Sequence, residues 1–75
     1  MTTKDLLWKE IYNSIKREIV LNKYKINKKL DSEGDYAKQF NVNRHTIRRA
    51  FKELKNDNLI YSKRGLGVFV KSSKI

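Results

Sequence analysis

The residues with the most chemistry to offer lie in one short run, Arg44-His45-Thr46-Ile47-Arg48-Arg49-Ala50-Phe51-Lys52-Glu53-Leu54. Three of the five arginines in the chain fall between positions 44 and 49. A guanidinium is a planar fork of fixed donors. It suits a phosphate or the O6/N7 edge of a guanine. Arg44, His45, Arg48, Arg49 and Lys52 alternate with Ile47, Ala50, Phe51 and Leu54 at spacings of three and four. That pattern predicts a helix with one apolar side for burial and an opposite cationic side. An ordinary solvated surface helix has the same pattern, so the flanking residues must decide between a bland face and a binding face.

The start of this helix is also legible. Asn43 is expected as its N-cap, with its side-chain oxygen accepting from a first-turn N–H. Val42 and Ile47 then occupy the two positions of a hydrophobic staple, which sets the angle of entry into the helix. Upstream, a shorter helix is expected to begin at Ser32. Ser32 with Asp35 approximates a capping box, although Asp is shorter than the usual partner. Glu33 and Asp35 complement the positive end of the helix dipole and are not read as a catalytic acid/base pair. Tyr36, Ala37 and Phe40 face inward, and the small Ala37 allows a close crossing. Gly34 costs such a helix about 1 kcal/mol relative to Ala. The turn Asn41-Val42-Asn43 joins the two helices in a helix-turn-helix arrangement.

The rest of the chain supports this pair. A first helix is expected from about Leu6 to Leu21, after frayed residues 1–5. Its apolar stripe is Leu7, Trp8, Ile11, Tyr12, Ile15, Ile19 and Val20. Trp8 and Tyr12 read as core aromatics in preference to a base-stacking pair. Residues 22–31 form a polar, basic connector in which Leu30, with Lys29, makes a short edge strand. The second of the paired helices should end near Asp57-Asn58. Two β-rich runs follow, Leu59–Arg64 and Val68–Lys71, separated by Gly65-Leu66-Gly67. They predict a hairpin with Lys63 and Arg64 at its tip. Glycine there permits positive φ and a close approach of backbone to phosphate. Residues 72–75 read as a tail.

Composition sets the bounds. Seventy-five residues make one small domain. Eighteen Lys and Arg against eight Asp and Glu leave a formal charge of +10. That balance favours a polyanionic partner, nucleic acid before an anionic membrane surface. Lysine abundance alone is a weak signal; the placement of arginine is the stronger one. The chain has no cysteine and one histidine, which excludes a disulfide framework and a thiolate or histidine-built metal site. No apolar run approaches the length that spans a bilayer, and no signal-peptide core is present, so a cytoplasmic protein without cofactor or metal is expected. No nucleophile–base–orienter set or phosphate loop is visible, and no histidine is placed to activate Ser32. The sequence therefore reads as a binding module and not as an enzyme.

The order of helix, helix-turn-helix and basic hairpin is that of a winged-helix domain, mainly α with a two-stranded wing. At the residue level the chain resembles the GntR family of bacterial transcription regulators. Val42-Asn43-Arg44-His45-Thr46-Ile47-Arg48-Arg49-Ala50 is similar to the family's Val-Ser-Arg-x-Thr-Val-Arg-x-Ala. Arg64-Gly65-Leu66-Gly67-Val68-Phe69-Val70 is similar to its Gly-x-Gly-Thr-Phe-Val wing. Leu30, Ser32, Glu33 and Ala37 match its Leu-Pro-Ser-Glu-x-x-Leu-Ala segment. The likeness covers residues from about 8 to 71, with the HutC branch looking most similar. Asp31 stands where the family usually has proline, Gly34 where many members have arginine or another long polar residue, and Asn22 and Asn27 where glycines are common.

The resemblance implies sequence-specific binding of double-stranded DNA. It places Arg44, Thr46 and Arg48 at the DNA-contacting positions and Gly65 at the minor groove. Lys63 and Arg64 would hold phosphates beside the wing. His45, Arg49 and Ser32 complete the expected contact set, with His45 equally readable as a solvated side chain. The family's C-terminal effector-binding and dimer-forming domain is absent from the 75 residues. The expectation is a single domain, 1–75 and ordered over about 6–71, either excised from a longer regulator or a small stand-alone protein, that is mostly monomeric in isolation and binds an inverted repeat as two copies. A non-specific nucleic-acid-binding protein is the alternative, motivated by the net charge.

Overall fold

The computed structural model describes residues 3–21 and 25–71. Three helices precede a two-stranded sheet: α1 Thr3–Val20, α2 Glu33–Phe40, α3 Arg44–Asn56, β1 Ile60–Lys63 and β2 Gly67–Val70. Helix α1 starts three residues before the expected Leu6, because no glycine or proline interrupts helix geometry there. Residues 22–24 of the connector and the expected tail at 72–75 lie outside the described residues.

The core forms where the apolar sides of the helices meet the sheet. Ile11, Ile15 and Ile19 recur every fourth residue of α1 and are buried. Ile47, Ala50, Phe51 and Leu54 of α3 are buried against them, together with Leu59, Ile60 and Val70. Tyr36 supplies the contribution of α2, edge-on to Phe51 at 5.7 Å between ring centroids. Phe40 stacks on Tyr36 and joins the rim of the core. Val20, read from its spacing as part of the α1 stripe, is 39% exposed, because it stands at the last residue of the helix, one past the buried Ile19.

The helix ends determine how α2 and α3 are set. The Ser32 hydroxyl accepts from the Asp35 N–H at 3.1 Å, so one half of the capping box forms. Among the described residues the shorter Asp35 carboxylate makes no return bond to Ser32. Asn41 takes a left-handed φ of 56° and, with Val42, donates its N–H back to the last turn of α2. Asn tolerates this conformation better than most residues, and the chain reverses within three residues. Asn43 occupies the N-cap position of α3 with extended backbone, but its side chain makes no capping bond. Its backbone carbonyl receives the Thr46 N–H instead, and the helix is held in place by burial of Ile47 beside the half-buried Val42.

Strands β1 and β2 pair antiparallel from Ile60↔Val70 to Lys63↔Gly67. The expected edge strand at Lys29–Leu30 contracts to a single bridge, Lys29↔Phe69, backed by bonds from Leu30 N–H to the Val68 carbonyl and from Val70 N–H to the Lys28 carbonyl. The connector thus lies along the free edge of β2. The hairpin is tied to the body of the domain and does not stand alone, which matters because an isolated hairpin is marginal in water.

Candidate nucleic-acid interface

Helix α3 presents its cations as the spacing predicts. Arg44, His45, Arg48, Arg49 and Lys52 are all exposed, and Thr46 is half-buried. They do not form one uniform face. At about 100° per residue, Arg44 and Arg48 fall on the flank toward α2, whereas His45, Arg49 and Lys52 point away from the core. The side chains then diverge further through their contacts.

Arg48 is held by Glu33 of α2: its Nε and a terminal guanidinium nitrogen donate to the two carboxylate oxygens, each at 3.4 Å. Arg44 lies over the backbone of Gly34, one residue further along α2. A Cβ placed on Gly34 would come within 2.8 Å of the Arg44 guanidinium. Arg49 turns toward α1 and covers the indole of Trp8, with its guanidinium carbon 4.7 Å from the ring centroid. Trp8 meets Tyr12 edge-on, and the Tyr12 hydroxyl donates to the Asp57 carboxylate at the end of α3. Burial, reinforced by that bond and the Asp57 charge, pushes the Tyr12 phenol up to about 12. Trp8 and Tyr12 are half-buried and serve the α1–α3 junction, as read from the stripe.

The wing carries the second group of cations. The turn between the strands closes with the Leu66 N–H donating to the Lys63 carbonyl at 3.0 Å. Gly65, at φ 79°, is exposed with open space where a side chain would project. Arg64 is exposed beside it. Lys63 does not extend freely into solvent: its Nζ lies 5.9 Å from the Tyr61 ring centroid and 5.6 Å from that of Phe69. Those two rings stack at 5.6 Å, and the Tyr61 hydroxyl donates to the Asn27 side chain. Lys29 crosses Gly67, its Cε 2.8 Å from where a Cβ would stand. Sequence reasoning passed over Lys29, Glu33 and Gly34 as parts of this surface. Their signal is a contact between distant elements, which no local pattern reveals.

Between α2 and the wing lies an open cleft of about 640 Å³, lined in part by Asp31, Ser32, Glu33, Asp35 and Gly65–Val68. It carries three carboxylates, Asp31, Glu33 and Asp35, with Lys29 also on its wall. Ser32, expected among the contacts, is exposed there with its hydroxyl engaged in capping Asp35. Among the described residues no cluster of His, Cys, Asp or Glu could hold a metal ion, and no helix is long and apolar enough to cross a membrane.

Three helices, a three-residue turn into an arginine-bearing helix and a basic hairpin define a winged helix-turn-helix domain. Comparison with known proteins gives the family: residues 7–70 match the bacterial regulatory proteins of the gntR family, and the chain belongs to it as a DNA-binding domain of a transcription regulator. It is 33% identical over 69 residues to the transcriptional repressor NagR of Bacillus subtilis, covering 92% of this chain and 28% of that protein. Over 41 residues it is 46% identical to the arabinose metabolism transcriptional repressor of Halalkalibacterium halodurans, covering 55% of this chain and 11% of that protein. The DNA-binding domain of AraR, solved with operator ORR3, superposes with a TM-score of 0.83 at 34% identity, covering 93% of this chain and 81% of that one. A GntR family regulator from Listeria monocytogenes superposes at 0.82 with 38% identity, over 85% of this chain and 56% of that chain. The chain thus spans only a small part of the length of the curated relatives it matches. The family is one of bacterial regulatory proteins.

Proposed function

We propose that α3 lies in the major groove of an operator, with Arg44, Thr46 and Arg48 at base edges, and that the wing reaches the adjoining minor groove at Gly65. Lys63 and Arg64 hold flanking phosphates. Ser32, His45 and Arg49 are outer contacts, with Arg49 leaving Trp8 to reach the backbone. Two copies bind an inverted repeat, while the isolated domain is mostly monomeric. The chain works in the cytoplasm, belongs to the HutC-like branch and acts as a repressor. Motif similarity supports the branch, and relatives described as repressors support the sign of regulation.

The observation that carries the reading is the way α2 holds two exposed arginines on one flank of α3. A helix of 13 residues is about 20 Å long and fits a groove about 12 Å wide. A protein that only gathers phosphates has no use for a carboxylate beside its arginine. A guanidinium that must meet one base edge gains from a partner that limits its rotamers. That the similar AraR domain is solved in complex with operators supports binding of double-stranded DNA by this domain.

The test is selection of random duplexes by the purified domain at near-physiological salt, followed by sequencing. An enriched inverted repeat is the expected result. A single enriched half-site keeps base reading and removes paired binding. No enrichment, with binding that vanishes as salt rises, transfers the protein to the non-specific class.

A further inference from the structure

We infer that Gly34 is a positioning residue for base reading: its bare backbone is the seat of the Arg44 guanidinium and sets which donors Arg44 presents. The inference rests on the DNA-reading role proposed above and goes beyond it, because it moves part of the specificity from α3 to α2.

Three distances carry it. A Cβ on Gly34 would stand 2.8 Å from a terminal nitrogen of Arg44, 3.3 Å from its central carbon and 3.4 Å from Nε. All three atoms belong to the guanidinium, which thus occupies the space beside Gly34 that a side chain would take. Ordinary carbon contacts lie at about 3.5–4.0 Å, so a methyl group at position 34 must push the guanidinium away by about 1 Å. The backbone gives no other reason for glycine here. Gly34 lies within α2, and only Gly65 and Gly67 among the glycines have positive φ. Glycine in a helix weakens it relative to alanine. At this position the lost helix propensity accompanies a gain in room.

The group that must yield is the far end of a flexible side chain. Alanine at position 34 should therefore leave the fold intact while redirecting Arg44. A bidentate contact needs both donor distances near 2.9 Å, so a displacement of about 1 Å retains at most one of the two bonds. Any longer side chain at position 34 displaces Arg44 further. Glu33, the preceding residue, holds Arg48. The first turn of α2 thereby sets both arginines of the reading flank.

The experiment compares wild type, Gly34→Ala, Arg44→Ala and the double variant, each by thermal unfolding and by binding to the duplex that wild type selects. Gly34→Ala is expected to melt at or above the wild-type temperature. It should bind the selected duplex about tenfold more weakly, with altered preference at one base pair per half-site. In the Arg44→Ala background the same change should alter binding less than about twofold, since nothing remains to displace. Unchanged affinity and preference in Gly34→Ala overturns the inference. So does a loss that persists without Arg44, or a fall in melting temperature. If wild type selects no duplex, the base-reading function itself fails and this inference falls with it. If wild type selects a site and the coupling is absent, only the role of Gly34 is refuted.

Discussion

Replacing Arg48 with alanine should separate folding from reading. The Arg48 side chain is 59% exposed and its partner Glu33 34%, so their ion pair is screened by water. Pairs of this kind contribute about 0.2–1 kcal/mol. In a domain of this size 1 kcal/mol corresponds to about 4–8 °C in melting temperature, so Arg48→Ala should lower it by no more than that. Binding to the selected duplex is a different matter. A bidentate arginine–guanine contact provides about 1–3 kcal/mol of discrimination, which is a loss of about 5- to 150-fold. On a scrambled duplex the same variant loses at most one charge contact. Fluorescence anisotropy titrations on both duplexes at one fixed salt concentration read the two losses directly. Base-pair variants of the selected site should then show relaxed preference at a single position. Equal losses on selected and scrambled DNA would refute the assignment of Arg48 as a base reader. A melting temperature lowered by much more than about 8 °C would instead make it a residue of the fold.

Other perturbations have equally definite outcomes. Ser32→Ala removes the acceptor for the Asp35 N–H and should destabilise the domain by about 1 kcal/mol in urea unfolding. Lys63→Ala should weaken binding to every duplex alike and reduce the magnitude of the salt slope by about one. Tyr12 holds its proton more tightly when folded, at about 12 against an ordinary 10.0. Its contribution to stability is therefore complete below about pH 10 and is lost as pH rises from there toward 12. Urea midpoints measured at pH 8 and pH 11 should fall further in wild type than in Tyr12→Phe, and parallel falls would remove Tyr12 as the cause.

What could be read from the sequence was whatever is repeated locally. Ile47, Ala50, Phe51 and Leu54 recur at helical spacing, and all four are buried. Ser32 announces the start of α2 because a cap works within one turn, and the glycines at 65 and 67 announce the wing because a tight reversal needs positive φ. The reading fell short where the outcome depends on a rotamer or on a distant neighbour. Asn43 occupies the cap position, yet its side chain does not cap, since backbone placement does not determine where an amide points. A helical wheel divides Arg44 and Arg48 from His45, Arg49 and Lys52 but assigns none of them a partner. Glu33, Gly34 and Trp8, all on other helices, make them different. Lys29 was expected beside Leu30 in an edge strand, but that its side chain would cross Gly67 depends on the bridge to Phe69, which no local pattern shows.

The stacking of Arg49 on Trp8 gives the molecule a built-in optical probe. Trp8 is the sole tryptophan of the chain, and of the two charges over its ring the nearer, Arg49 at 4.7 Å, belongs to the helix proposed to meet DNA, while Lys9 of its own helix lies at 5.9 Å. Indole emission responds to a nearby cation, so unlabelled protein signals the state of the α1–α3 junction. If Arg49 departs for a phosphate when DNA binds, the emission shifts with the same midpoint as binding. If it remains on the ring, the emission is silent through the binding transition and changes only when α1 separates from α3. One fluorimeter cuvette thus sorts Arg49 between ligand contact and internal brace.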